Sequence, residues 1–239
     1  MSFSPPDRHA EGRSPRSKVG GFLMRVALIH IQMISAGPML DAFRRSWPEA
    51  RVTNLLDEGL FTSPARGDAY VIERFKALAS YAAAAPADGI LFTCSAFGGA
   101  IEAARDALAP IPVLKPNEAM IEAAVATGQR VGLLASFAPT LALMPAEFPP
   151  GTLTAQALAE GAFAALNAGE TATHNRLVAE TAARELRGCD VIALAQSSMA
   201  SAAQAVAEAT GKAVLTAPDS AVAKLRRLLT AGGASVRSA

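Results

Sequence analysis

The sequence predicts an α/β fold of two pseudo-symmetric lobes, each a short, mainly parallel sheet flanked by helices, with an active-site cleft between them. Three observations predict it. The first is an internal echo. DGILFTCSAFGGAIEAAR from Asp88 resembles DVIALAQSSMASAAQAVA from Asp190, which sets Cys94 on Gln196, Ser95 on Ser197 and Phe97 on Met199. Downstream, PVLKPNEAM from Pro112 resembles AVLTAPDSAV from Ala213, bringing Asn117 onto Asp219 with one residue inserted; upstream, RVALIH from Arg25 resembles RVGLLA from Arg130. The second observation is a set of short Val-, Ile- and Leu-rich runs, of a length that suits strands covered on both faces. The third is the alternation of those runs with helical stretches, which calls for right-handed crossovers.

The elements follow in order. Residues 1–23 (MSFSPPDRHAEGRSPRSKVGGFL) lack the apolar stretch of a secretory signal and read as a disordered extension, with Met24 as an alternative start. Val26 to Ile31 is the first strand, Met39 to Trp47 a helix and Ala50 to Asn54 a second strand. Ala69 to Ala85 carries apolar residues at Val71, Ile72, Phe75, Leu78 and Ala82, the spacing of one helix face. Gly89 to Thr93 is a strand, Ala96 to Leu108 a helix, and Val113 to Leu114 a short strand closing the first half. Asn117 to Thr127 is a helix opened by a residue suited to capping. Val131 to Ala135 starts the second half. Pro145, Pro149, Pro150 and Gly151 make Met144 to Leu153 a loop with a poorly regular strand. Helices at Thr173 to Leu186 and Ser198 to Thr210 flank the strand Val191 to Ala195; Val214 to Leu215 and a last helix, Ser220 to Leu229, end the chain. The expected lobes are 24–116 and 117–216, with the C-terminal helix, 217–232, packing back on the first.

Composition narrows the function. At 239 residues, with 51% apolar and 5% aromatic, the chain can build a substantial core of helices on buried sheets. A net charge of +1 gives no reason to expect nucleic acid or an anionic membrane as partner, and no apolar run reaches membrane-span length. Cys94 and Cys189 form neither a metal-ligand spacing nor a disulfide framework, so a reducing cytoplasm is the simpler location. Three scattered histidines give no metal site, and no phosphate-binding glycine pattern is present, so no cofactor is expected. Self-association into a homo-oligomer stays open.

Cys94 is the candidate catalytic group. It stands where a strand ends and a helix begins, the end of an α/β sheet at which ligands bind. The N–H groups and dipole of the following helix favour a thiolate there, and Thr93 and Ser95 add hydroxyl donors. The competing reading, a small core cysteine, fits Cys189, which precedes its strand at the opposite end of the sheet. His30 ends the first strand and lines the same cleft, as a proton carrier or as a hydrogen-bonded wall. His174, in THNR, is as readily a surface or capping residue as a ligand.

With LFTCSAFG around the first cysteine, RVGLLASFAPT opening the second half and GCDVIALAQSSMA around Gln196, the chain from Met24 onward resembles the aspartate/glutamate/hydantoin racemase superfamily, with its arylmalonate decarboxylase and maleate isomerase branches. The resemblance implies two lobes with the active site between them, and a cysteine from each lobe flanking the α-carbon of a small carboxylate. Cys94 matches the first cysteine. Ser136 and Thr140 match positions that hold a substrate carboxylate, although Ser and Thr also serve simply as turn and cap residues. Ser197 and Ser198 beside Gln196 either bind carboxylate or cap the next helix.

Gln196 occupies the second cysteine position. An amide is neither acid nor base near neutral pH, which argues against symmetrical two-thiol racemisation. The sequence therefore leads to a cofactor-independent isomerase-family enzyme using Cys94 for thiolate proton transfer on an amino-acid-like carboxylate. The alternatives are a single-cysteine decarboxylase or lyase, a covalent enzyme using Cys94 on an unsaturated or acyl substrate, and a small-molecule binding protein without turnover.

Overall fold

The computed structural model describes residues 23–62, 67–94 and 97–235; the expected N-terminal extension lies, apart from Leu23, outside them. In chain order the elements are β1 (Arg25–His30), α1 (Ala36–Ser46), β2 (Arg51–Leu56), α2 (Gly59–Thr62), α3 (Gly67–Ala84), β3 (Gly89–Phe92), α4 (Gly98–Leu108), β4 (Val113–Leu114) and α5 (Glu118–Ala126). They continue with β5 (Val131–Ala135), α6 (Ala138–Leu143), β6 (Leu153–Leu158), α7 (Ala162–Asn167), α8 (Thr171–Glu185), β7 (Val191–Leu194), α9 (Ala203–Thr210), β8 (Ala213–Thr216) and α10 (Ala217–Ser235). Two four-stranded parallel sheets result, ordered β2-β1-β3-β4 and β6-β5-β7-β8. The order is the same in both, so the echo read from the sequence is a repeat of topology.

The first sheet is fastened at its amino end by a reciprocal clamp between an aspartate and the backbone of the neighbouring strand. The Arg25 N–H donates to Asp88 Oδ2 at 2.7 Å, and the Asp88 N–H donates to the Arg25 carbonyl at 2.8 Å. The second sheet repeats it: the Arg130 N–H donates to Asp190 Oδ2 at 3.2 Å and the Asp190 N–H to the Arg130 carbonyl at 2.8 Å. Here the Arg130 guanidinium adds a two-pronged contact at 2.9 and 2.7 Å, and these hydrogen bonds bring the Asp190 carboxyl down to about 2.

The central strands are buried as their apolar runs require, β3, β5 and β7 at every residue. Ile29, Phe75, Ile90 and Phe92 join α3 and α4 to one face of the first sheet. The other face, through Val26, Leu28 and Leu91, packs against Met39 and Phe43 of α1 and against Val222, Leu225 and Leu229 of α10. The last helix thus returns to the first sheet.

Several elements differ from expectation. β2 is an edge strand with exposed residues, not one covered on both faces, because only β1 flanks it. The segment expected to be irregular, Met144 to Leu153, contains a 3-10 turn (Met144–Glu147) and reaches only the first residue of an edge strand, β6, which pairs with β5 through a register shift at Val131 and Gly132. α7 follows Gly161, whose φ of +75° makes the turn into it. Asn117 does not cap α5: its side-chain amide turns away and donates to Glu147 Oε2 at 2.7 Å. The helix expected from Ser198 is split into a 3-10 segment (Ser197–Ala202) and α9. Among the described residues no helix is long and apolar enough to cross a membrane.

Among the described glycines, Gly132 has the least room, where β5 meets the loop after α8. A Cβ on Gly132 would stand 2.8 Å from Cys189 Sγ and 3.2 Å from Leu186 Cδ1. Gly132→Ala is therefore expected to cost about 1–3 kcal/mol through overpacking, read as a lower urea midpoint, with partial recovery in the double variant carrying Cys189→Ala. An unchanged midpoint in Gly132→Ala would contradict this account.

Candidate functional site

Parallel strands in both sheets run outward from the clamps and release their side chains at the same side of the molecule. In the first sheet the ladder continues one step past β3, where the Thr93 N–H donates to the Ile29 carbonyl at 3.0 Å. In the second it continues past β7, where the Ala195 N–H donates to the Leu134 carbonyl at 2.9 Å. The next residues are Cys94 and Gln196, so the two hold equivalent positions in the repeat.

Both line one cavity of about 90 Å³, well below the size of pockets that take drug-sized ligands and suited to a small molecule. Thr93 and Cys94 come from the first lobe, with Gln32, Ile34 and Ser35 from the turn after β1. Ala195, Gln196, Ser197 and Ser198 form the facing wall. Phe137 and Thr140 enter after β5 and Phe163 from α7, the two rings packing at 4.8 Å between centroids. Pro116 and Ala217, one residue beyond Lys115 and at the start of α10, close it where the chain passes between lobes. Among the described residues, no Lys, Arg, Asp or Glu side chain lines the cavity. Its polar groups are hydroxyls, amides and one thiol, a neutral donor set able to hydrogen-bond a carboxylate.

The expected site residues separate into three groups. Cys94, Thr140, Gln196, Ser197 and Ser198 line the cavity together. Ser136 and His30 stand behind its walls. Ser136 clasps Gln196 twice, its N–H donating to Oε1 at 2.9 Å and its hydroxyl oxygen accepting from Nε2 at 3.1 Å. The Gln196 amide is thereby fixed as part of the wall, with a second Nε2 hydrogen left over for the cavity. His30 lies behind Thr93, with Nδ1 at 2.8 Å from Thr93 Oγ1. Ser95 lies outside the described residues. His174 departs from the surface or capping role: it is fully buried, its Nδ1 bonded to the Ala162 carbonyl at 2.9 Å where α8 packs on α7.

Sequence reasoning passed over Gln32, Ser35, Phe137 and Phe163. Phe137 sits inside the quoted ASFAPT loop and was open to notice; Phe163 belongs to a helix that carries no sequence signature. Among the described residues no group of three His, Cys, Asp or Glu side chains could hold a metal ion.

The two cysteines differ sharply. Neither is in a disulfide; Cys94 is half-buried at the cavity, whereas Cys189 is fully buried and burial pushes its thiol pKa up. Burial also lowers the pKa of His30, outweighing the opposing effect of its hydrogen bond to Asn54.

A family model described as Asp/Glu/Hydantoin racemase matches residues 58–225. Among solved structures, glutamate racemase from Thermus thermophilus is similar with a TM-score of 0.69 at 16% identity, over 88% of this chain and 82% of that one. Allantoin racemase from Klebsiella pneumoniae gives 0.68 at 21% identity, over 87% of this chain and 89% of that one. A mutant of arylmalonate decarboxylase in its sulfate-associated form gives 0.64 at 18% identity, over 87% and 94% respectively. At these identities the likeness concerns the fold. A comparison with curated protein sequences finds no match.

The contrast between the thiols predicts selective labelling. Iodoacetamide is expected to modify Cys94 in the folded protein while Cys189 stays unmodified until denaturant is added, as read by peptide mass spectrometry. Equal labelling of the two in native buffer would contradict the burial described.

Proposed function

This chain belongs to the Asp/Glu/hydantoin racemase family, and from that premise we propose that it is a cofactor-independent enzyme moving one proton at the α-carbon of a small carboxylate, with Cys94 as the proton-carrying thiol. The observation that carries the proposal is the unlike pair in one cavity: a half-buried thiol on one wall and, at the equivalent position opposite, an amide clasped by Ser136.

The chemistry follows from that pair. Cys94 as thiolate takes the α-proton, leaving the electron pair of the C–H bond on the α-carbon, delocalised into the adjoining carboxylate. Hydroxyls of Thr140, Ser197 and Ser198 and the spare Gln196 N–H are suited to stabilise the charge that gathers on those oxygens. The same thiol then returns the proton to the face from which it came. Gln196 cannot deliver a proton to the other face, because its amide does not titrate near neutral pH. A substrate with two carboxylates on one carbon would follow a related course. Loss of CO₂ leaves its bonding pair on that carbon, and the Cys94 S–H supplies the proton. The likeness to an arylmalonate decarboxylase supports this second course, and both use the same residues.

Incubation with candidate α-amino acids and 2-aryl carboxylates in deuterated water is therefore expected to give α-deuteration with retained handedness, followed by NMR and chiral chromatography. Cys94→Ala should reduce exchange about 10²–10⁴-fold, the usual weight of a general acid–base group. Gln196→Cys should add racemisation by supplying a second thiol. Fast racemisation by the unsubstituted protein would overturn the one-thiol reading, and exchange that survives Cys94→Ala would overturn the role of Cys94.

A further inference from the structure

A hydrogen-bonded chain leads from an exposed edge of the first sheet into the cavity. Asn54 on β2 is exposed, and its Oδ1 lies 2.9 Å from His30 Nε2. His30 Nδ1 lies 2.8 Å from Thr93 Oγ1, which lies 3.0 Å from Ser35 Oγ; Ser35 Oγ is 2.8 Å from the Gln32 carbonyl oxygen. Thr93, Ser35 and Gln32 all line the cavity, and His30, Thr93 and Ser35 are buried.

With Asn54 Oδ1 facing Nε2, the protonation of His30 sets the hydrogens along the rest of this chain. Asn54 Oδ1 only accepts, so Nε2 carries a hydrogen. In the neutral imidazole Nδ1 must then accept, and the Thr93 hydroxyl donates to it. Thr93 has a single hydrogen, so its contact with Ser35 requires Ser35 to donate inward and release the Gln32 carbonyl. In the imidazolium Nδ1 donates instead. The Thr93 hydroxyl then turns to Ser35 (the Ile29 carbonyl, at 3.5 Å, is a more distant choice), and the Ser35 hydroxyl turns outward. One proton on His30 reverses two hydroxyls. With His30 neutral, Ser35 presents lone pairs to the cavity beside a bare carbonyl, a poor surface for an anion. With His30 charged, the Ser35 hydrogen covers the Gln32 carbonyl at 2.8 Å and is able to turn from it to an anion in the cavity.

We propose that binding of a carboxylate in the cavity is coupled to uptake of one proton at His30, transmitted by reversal of the Thr93 and Ser35 hydroxyls. The inference rests on the cavity being a carboxylate site, as in the proposed function, but not on any turnover by Cys94. His30 acts here as a positioning residue: it decides the orientation of groups that touch the ligand. Burial keeps its pKa low in the empty protein, so the anion must draw the proton in. The imidazole itself bonds only neutral partners. Other titratable groups nearby are Cys94, which follows Thr93, and Asp57, whose N–H donates to the His30 carbonyl at 2.9 Å. The Asp57 carboxylate is held by Arg74 of α3 at 2.5 and 2.8 Å, with Tyr70 bonded to the same guanidinium, and Glu58 lies 3.5 Å from the Met33 N–H on the far side of the turn.

The test uses the full chain with acetate as the anion and acetamide as its neutral counterpart. Calorimetry in buffers of different ionisation heat should record proton uptake with acetate and none with acetamide. The His30 ring signals, assigned with His30→Gln, should titrate at higher pH when acetate is present. Because the charged form binds the anion better, acetate affinity should rise about tenfold between about pH 8 and about pH 6. Thr93→Val, close in shape but without the hydroxyl, should abolish the coupling, and Thr93→Ser should keep it; Ser35→Ala interrupts the chain at a second point outside the strand. Acetate binding that is independent of pH, with His30 unshifted, would overturn the coupling and leave the carboxylate site standing. A shift that survives both Thr93→Val and Ser35→Ala would overturn the hydroxyl route. Failure of acetate to bind at any pH would overturn the carboxylate site and the coupling together.

Discussion

When Asp88 accepts the Arg25 N–H and returns its own to the Arg25 carbonyl, the register of β3 on β1 is settled, and with it the side of the molecule at which each residue emerges. A slip of one residue would exchange the two faces of the strand. Thr93 would then leave His30, and Cys94 would turn away from the cavity. The same clamp between Arg130 and Asp190 fixes Gln196 against Ser136. The cavity is thus governed from the far end of both sheets, by hydrogen bonds of two aspartates to the backbone of neighbouring strands that touch nothing in it.

One template used twice allows the lobes to be compared residue by residue. Where β1 ends in His30, β5 ends in Ala135, and where β3 runs on to Thr93, β7 runs on to Ala195. The first lobe buries an imidazole and two hydroxyls, which is tolerable because each has a hydrogen-bond partner. The second lobe buries alanine at both positions and spends its polar groups on the clasp of Gln196. The lobes share their backbone and differ in chemistry: one wall holds groups that titrate, and the other holds groups that stay neutral.

Much of this was legible in the sequence. The runs that became β1, β3, β5 and β7 are apolar at nearly every buried position, His30 being the exception, because helices cover both their faces, and such runs announce themselves. Of the edge strands, β2 was legible in Ala50 to Asn54 in spite of its exposed residues, whereas β6, a half-exposed and weakly apolar run behind a Pro- and Gly-rich stretch, was not. Cys94, Gln196 and the two serines after it could be found because they follow legible strands. Ser35 and Phe163 could not, since the turn after β1 and the helix α7 are placed by tertiary packing. His174 read as polar and exposed because its sequence neighbours are polar, whereas one face of α8 is buried.

The return of α10 to the first sheet sets an order on how the molecule can be made. Val222, Leu225 and Leu229 cover Val26, Leu28 and Leu91, yet they are joined to them only through the whole of the second half. During synthesis the earlier lobe must wait, the part of that face that α1 does not cover left open, until α10 has been made. The second sheet has all its strands before α10 exists. The half that the ribosome delivers first is therefore the half that closes last, and its unfinished face is the surface that a nascent-chain chaperone would meet.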